Sequence, residues 1–365
     1  MTKIKDIINH LEQIAPLAYQ ESYDNSGLLV GDATATVTGV LTCLDVTEAV
    51  LAEAQAQNCN LIIAHHPLIF QPIEKLTSSS RVERCLIQAI KQDLAIYAIH
   101  TNLDNVIQGV NKRLAQRLAL QDLAILLPKP GTLSKLTTFV PQSAIEQVLQ
   151  ALHQAGAGRI GNYAHCSFVS TGTGSFKPTA AANPYIGTPN QVEKVTEHRA
   201  EVIFPTHLTD AIIAALKQAH PYEEVAYYIQ KLENSHPEVG VGMIGMLPQA
   251  LPSQEFLQYL KTHINLACIR HSAPITRPIQ KVAFCGGSGS PLLREALRQQ
   301  ADAFITADLK YRDFFNAEGH ILIADIGHYE SEIVTKDLIY DLLSEKFASI
   351  ALLRCETITN PVHYS

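Results

Sequence analysis

The sequence predicts an α/β protein of two lobes with a smaller, separate domain between them. Three observations carry that reading. Short apolar runs alternate with helical patterns at both ends of the chain, and polar residues recur just past the ends of those runs. Between residues 131 and 245 the order changes to β-α-β-β-α-β.

In the first lobe, Ile4 to Ala15 has the spacing of an amphipathic helix, and Tyr23 to Gly27 (YDNSG) reads as a turn. Val37 to Leu44 is a strand and Thr47 to Asn58 a helix with Val50, Leu51 and Ala54 on its apolar side. Leu61 to Ala64 is apolar throughout and too short for a helix, so it reads as a buried parallel strand delivering His65 and His66 at its C-terminal end. Arg81 to Lys91 is helical, Leu94 to Ile99 a strand ending in His100 to Asp104 (HTNLD), and Val110 to Leu120 helical again. After Pro130 and Gly131 the middle segment offers strands at Lys135 to Val140, His165 to Ser170, Val192 to Phe204 and Glu224 to Ile229. Its helices are Ser143 to Ala155 and Leu208 to Ala219. This split order is the ferredoxin-like pattern. Thr171 to Phe176 (TGTGSF) reads as a loop, and Asn183 to Asn190 is rich in turn formers. His220 to Glu224 (HPYEE) marks a strand entry or edge at its proline. The last lobe resumes with helix Ser253 to Thr262 and strand Lys281 to Cys285, followed by the glycine-rich Gly286 to Ser290. Helix Leu292 to Gln299, strand Ala303 to Thr306, helix Lys310 to Ala317 and strand Ile321 to Asp325 follow. His328 then opens a helix ahead of a longer one from Thr335 to Phe347.

Composition narrows the class. The chain has 365 residues, 47% hydrophobic and 17% charged, enough for two or three ordinary domains. Its 35 acidic against 28 basic residues give a net charge of -7, which disfavours binding along a nucleic-acid backbone. The MTKIKD start lacks a signal-peptide core and no apolar run of about eighteen residues occurs, so the expectation is a cytoplasmic location without a membrane span. The 7 cysteines are scattered without a CxxC pair, which points to small buried hydrophobes of a reduced compartment rather than a thiolate cage.

The chemistry-bearing residues fall after the predicted strands. His328 and Glu332 stand at i,i+4 on a helix and share a face, the geometry of paired helical metal ligands. Adjacent residues of an extended strand point to opposite sides, so His65 and His66 suit two neighbouring ions, or one after a turn that Pro67 favours. Asp104 adds a hard oxygen ligand, and is equally suited to an Asx turn or to capping a helix near Val106. His100 is either a ligand or a residue that orients one. Asp325 and Glu330 do not share the His328 face and at most support the ligands. Together His65, His66, Asp104, His328 and Glu332 exceed the complement of one catalytic zinc and suit two divalent ions bridged by a carboxylate. Imidazole and carboxylate ligands accept Zn, Fe, Mn, Co or Ni. Such a centre activates water and stabilises charge in hydrolysis. The glycine-rich Gly286 to Ser290 lacks the Walker ending and reads as a tight turn, with phosphate cradling the sharper alternative. Asp308 of the TAD segment is a cleft residue or a helix cap.

The joint pattern resembles the NIF3-like family, whose members are widely labelled GTP cyclohydrolase 1 type 2 homologues. It is carried by Ser26 to Leu28, Ala64 to Phe70 (AHHPLIF), His100 to Asp104, Gly286 to Ser290, Thr306 to Asp308 and Gly327 to Glu332 (GHYESE), with Ala307 where the family's segment would have glycine. The resemblance implies two NIF3-like α/β lobes at 1–128 and 250–365, and a PII/CutA-like domain inserted at 131–245. It also implies two metal ions per chain on His65, His66, Asp104, His328 and Glu332, with His100 close by. A toroidal homohexamer is the implied assembly. The functional expectation is a metal-dependent hydrolase of a nucleotide-like or phosphorylated small molecule. A non-enzymatic metal-responsive scaffold is the alternative, and DNA binding the weakest reading.

Overall fold

A computed structural model describes residues 1–365. They form two compact units, one made of Met1–Leu127 with Glu238–Ser365 and the other of Pro128–Pro237.

Strands β1 (Gly27–Val30), β2 (Gly39–Cys43), β3 (Leu61–Ala64), β4 (Ala95–Ala98) and β5 (Gln121–Pro128) come first along the chain. Strands β6 (Leu133–Pro141), β7 (Phe168–Phe176), β8 (Glu193–Pro205) and β9 (Tyr227–Lys231) follow. The last are β10 (Gly240–Leu251), β11 (Arg270–His271), β12 (Ile279–Ser288), β13 (Ala303–Ala307), β14 (Leu322–Asp325) and β15 (Ala351–Arg354).

The larger unit holds two sheets. The first has the order β1-β4-β3-β2-β15, parallel except for the edge strand β1. Its central strands are buried on both faces, which is why they read as unbroken apolar runs. Val40, Leu61, Ile63 and Tyr97 pack under helices Ile4–Ile14 and Thr335–Ser344. Leu41, Cys43, Ile62 and Ile96 face helices Glu48–Ala56 and Arg81–Lys91 on the other side. Both of those helices start on a hydroxyl cap, Thr47 accepting from the Val50 amide and Ser80 from that of Glu83. The second sheet has the order β11-β14-β13-β12-β10-β5, with β12, β13 and β14 parallel at its centre. Val282, Phe284, Ile305 and Leu322 cover one face with helix Ser253–Ile264, and Ala283, Phe304 and Ile323 the other.

The lobes at 1–128 and 250–365 therefore cluster as one body, and the physical link is helix Val110–Arg117. Its Val110 belongs to the core of the first sheet, while Leu114 and Ala115 belong to that of the second. Residues 238–245, expected with the middle segment, run into β10 instead. There Gly242 lies against Leu126, and Gly245 against Leu123 and the Gln121 carbonyl. That contact order makes β5 and β10 antiparallel neighbours, so the chain leaves the larger unit at the end of one strand and returns at the start of the next. Strands β5 and β10 escaped the sequence reading because both are partly exposed and glycines interrupt β10.

The smaller unit is a four-stranded antiparallel sheet of order β7-β8-β6-β9 with two helices, Ile145–Gln154 and Thr209–Ala219, giving the sequence β-α-β-β-α-β. Leu136, Val140, Val202 and Phe204 form its core with Val148, Leu152, Ile212 and Leu216 of the helices. The TGTGSF segment, expected as a loop, is the second half of β7, where its glycines stand in register with Glu197 and Val195 of β8. No helix of the chain is long and apolar enough to cross a membrane.

Candidate metal centre

Every sequence-predicted ligand lies in the larger unit, at the C-terminal ends of parallel strands or in the first turn that follows them. β3 delivers His65 and His66, whose amides continue the ladder by donating to the carbonyls of Cys43 and Leu44. β4 leads through His100 into a single helical turn, Thr101–Asp104, closed by the Asp104 amide donating to the His100 carbonyl. β14 leads through Gly327, at φ 87, into helix His328–Glu332. A residue other than glycine would be strained in that left-handed conformation.

These three strand ends bring side chains from opposite sheets onto one carboxylate. Glu332 Oε2 stands 2.9 Å from His66 Nε2, 2.9 Å from His328 Nε2 and 3.9 Å from His65 Nε2. Asp104 Oδ1 is 3.7 Å from His65 Nε2. Ligand atoms within 4.8 Å of one another form three groups: His66 with His328 and Glu332, His65 with Asp104 and Glu332, and His65 with His66 and His100. Glu332 is shared by the first two. Past the end of β3 the rings of His65 and His66 lie 5.1 Å apart, and each reaches Glu332 from its own group while the two also share the group with His100.

Four imidazoles are fixed through their Nδ1 atoms. His65 Nδ1 is 2.8 Å from the Ile99 carbonyl, His66 Nδ1 2.7 Å from Asp45, His100 Nδ1 2.8 Å from Asp24 and His328 Nδ1 2.7 Å from Asp308. A proton on Nδ1 satisfies each contact and turns Nε2 to the other side of the ring, the arrangement typical of ligating histidines. Asp308 is therefore the partner of His328. Asp24 and Asp45 were not singled out in the sequence. Asp24 sat inside a stretch read only as a turn. Asp45 lies just past β2, a position the strand-end rule would have flagged. Asp325 does not reach the ligands. It is buried, accepts from the amides of Leu309 and Gly327, and pairs with Arg270, so it ties the Asp308 loop to the start of the His328 helix.

The glycine-rich turn has a steric role. Gly287 is at φ 62, and a Cβ there would come within 2.2 Å of Glu332 Oε1. Its amide donates to Ser331 Oγ at 2.9 Å, and the Gly286 amide to Asn111 Oδ1 at 2.9 Å. The turn packs beside the carboxylate that His66 and His328 share.

The electrostatics are those of a site short of positive charge. Burial holds the His65 imidazolium down, to about 3, so that ring is neutral. Burial also acts against a charge on His66 and His328. Their bonds to Glu332, with Asp45 and Asp308, outweigh it and raise them to about 10 and about 9. Burial first, and then the Glu332 charge, push Asp104 well above the carboxylate range. Glu332 is held well below it because the bonds from His328 and His66 outweigh its burial. His65 Nε2 and Asp104 Oδ1 are enclosed and have no hydrogen-bond partner, although 17% of the Asp104 side chain is exposed elsewhere. Asp104 does not cap the next helix, whose N-cap is Gly109. Two orphaned polar atoms facing one another beside a shared carboxylate fit the donor set of a divalent cation.

The fold and this centre define an α/β protein with candidate metal-binding clusters of histidine, aspartate and glutamate. The family model for Duf34/NIF3 (NGG1p interacting factor 3) matches residues 2–361. A Bacillus subtilis protein named GTP cyclohydrolase 1 type 2 homolog is 38% identical over 362 residues, covering 98% of this chain and 97% of its own. A protein of the same name from Listeria monocytogenes is 37% identical over 361 residues, 97% of this chain and 95% of that one. The crystal structure of a Bacillus cereus protein related to NIF3 superposes with a TM-score of 0.88 at 35% identity, covering 100% of this chain and 99% of that one. Staphylococcus aureus protein SA1388 gives 0.80 at 29% identity, with coverage of 100% and 99%. The chain belongs to the DUF34/NIF3 family.

Proposed function

We propose that the centre holds two divalent metal ions per chain, one on His66, His328 and Glu332 and the other on His65, Asp104 and Glu332, and that the protein is a metal-dependent hydrolase of a nucleotide-like or phosphorylated small molecule. The observation that carries the reading is the single oxygen of Glu332 shared by His66 and His328 at 2.9 Å, with the orphaned His65 Nε2 and Asp104 Oδ1 beside it. Zn, Fe, Mn, Co and Ni all suit these ligands. Bound there, such ions supply Lewis-acid polarisation of a phosphoryl or carbonyl oxygen and make water acidic enough to serve as a nucleophile near neutral pH.

The chain's own groups do the rest. Asp45, Asp308 and the Ile99 carbonyl hold the three ligand imidazoles in one tautomer and orientation. His100 is tied to Asp24 at Nδ1, with its ring 5.2 Å from that of His65 and 5.4 Å from that of His66, and its side chain is part-buried. That position suits an acid–base group exchanging a proton through Nε2. The name of the relatives, GTP cyclohydrolase 1 type 2 homolog, agrees with a nucleotide-like substrate.

The test is turnover of a nucleotide and phosphoester panel by metal-loaded protein. Changing Asp104 or Glu332 to Ala should lower the rate by at least about a hundredfold. Retained turnover in both variants would assign the activity to something else. The second reading is a non-enzymatic metal-responsive scaffold, favoured by the separately folded unit at Pro128–Pro237. In this proposal that unit is a ferredoxin-like domain of the PII/CutA kind, set into a NIF3-like body that assembles as a toroidal homohexamer in the cytoplasm. A metal-loaded protein inert across the panel, with partners captured only when residues 128–237 are present, would favour the scaffold.

A further inference from the structure

The smaller unit has an open-sided cavity of about 650 Å3 that the metal centre does not use, a size suited to a small organic ligand. It lies on the sheet face opposite the helices. Along β8, Ala200, Val202 and Phe204 are buried, the last two in the helix-side core, whereas Glu197 and Arg199 line the cavity. Gly172 of β7 pairs directly with Glu197, and Gly174 stands two residues further on, so both glycines share the Glu197 face. Nothing lies within 4 Å of a Cβ built on Gly172, and one on Gly174 would meet Glu197 Oε2 at 1.9 Å. The missing side chains are what leave room. Residues from the segment 177–192 line the cavity from above, and the Asn183 amide fastens that segment by donating to Glu223 at 2.9 Å.

The polar feature of the cavity is Glu197, only 8% exposed. Its Oε1 accepts the Tyr222 hydroxyl at 2.9 Å, while Oε2 has no donor and no Lys or Arg pairs with the carboxylate. Arg199 is committed to Glu201 at 2.6 Å. Glu223 and Glu224 also line the cavity, so carboxylates outnumber the remaining cation there, Lys177. The apolar wall is aromatic: the Tyr222 ring centroid lies 6.1 Å from those of both Phe176 and Tyr185.

We infer that this cavity binds a small organic cation, an ammonium or amidinium head on an apolar body, with its head on Glu197 and its body along Tyr222, Phe176 and Tyr185. A buried carboxylate without a counter-ion is costly, and a cationic head supplies the missing charge and donors. Aromatic faces attract the same charge. A neutral ligand would bring no counter-charge to Glu197, and an anion would meet the carboxylates.

Calorimetric titration of the full chain with benzylammonium and with benzyl alcohol tests the assignment. The cation should bind at least about tenfold more tightly than the alcohol. Glu197→Gln, which keeps an acceptor for Tyr222, should erase that preference. Tyr185→Ala, at a ring 57% exposed and therefore outside the folding core, should weaken both ligands while circular dichroism stays unchanged. Equal affinities for the two probes, wild-type cation affinity in Glu197→Gln, or unchanged binding in Tyr185→Ala would each overturn it.

Discussion

His65 spends one ring nitrogen on the fold, giving Nδ1 to the Ile99 carbonyl, and leaves Nε2 buried without a partner. Asp104 does the same with Oδ1. Each unpaired buried group costs about 1–3 kcal/mol, which a fold built for packing alone would have avoided by placing apolar side chains there. Ligation accounts for both atoms at once. The supporting residues should then matter to metal affinity although they touch no metal. Asp308→Asn removes the charge that orients His328, and metal affinity measured by competition with a chromophoric chelator should fall about 10–100-fold; wild-type affinity would mean His328 needs no such partner. Gly287→Ala combines a left-handed φ of 62 with a Cβ aimed at Glu332 Oε1. It should lower bound metal and destabilise the chain by about 1–3 kcal/mol in denaturant unfolding. A variant with normal stability and full metal content would show that the close approach of the turn to Glu332 is dispensable.

The elements decide how the charges are met when metal is removed. The end of β3 brings His66, and helix His328–Glu332 brings His328, to the same carboxylate, and both imidazoles are raised, to about 10 and about 9. Their contribution to stability is complete below the unfolded histidine value near ~6.5 and is lost as pH rises through those folded values. On the proposed reading, bound metal takes the place of these protons. Thermal unfolding of metal-free and metal-loaded protein should therefore diverge between pH 7 and 10, the metal-free form losing up to ~1.4 kcal/mol per pH unit for each proton released. A constant gap across that range would contradict the shared-carboxylate geometry. The same elements show what sequence can disclose. β3 was legible to the residue because a strand buried on both faces is a continuous apolar run. His328 and Glu332 were legible because helical spacing is fixed. β1, β5, β10 and β15 were not, since partly exposed edge or glycine-interrupted strands lose their pattern. β7 was taken for a loop over TGTGSF, where glycines serve a cavity rather than a turn. Asp24 and Asp45 escaped notice because their value lies in contacts to His100 and His66, 76 and 21 residues away.

For the whole molecule, the division into two units has a direct consequence. All the candidate ligands and four of the five apolar clusters belong to Met1–Leu127 with Glu238–Ser365. The chain departs and returns on neighbouring strands, β5 and β10. Replacing residues 128–237 by a short Asn-Gly turn should therefore give a folded protein that binds metal as the full chain does, checked by circular dichroism and elemental analysis. Loss of metal from a folded deletion would make the smaller unit part of the centre. The central claim is that one carboxylate, Glu332, serves two cations, and metal stoichiometry with anomalous scattering tests it most directly. Protein purified without chelator should carry about two divalent ions per chain, giving two anomalous peaks roughly 3.5–4 Å apart on either side of Glu332. A single ion per chain, or peaks away from His65, His66, Asp104, His328 and Glu332, would contradict it.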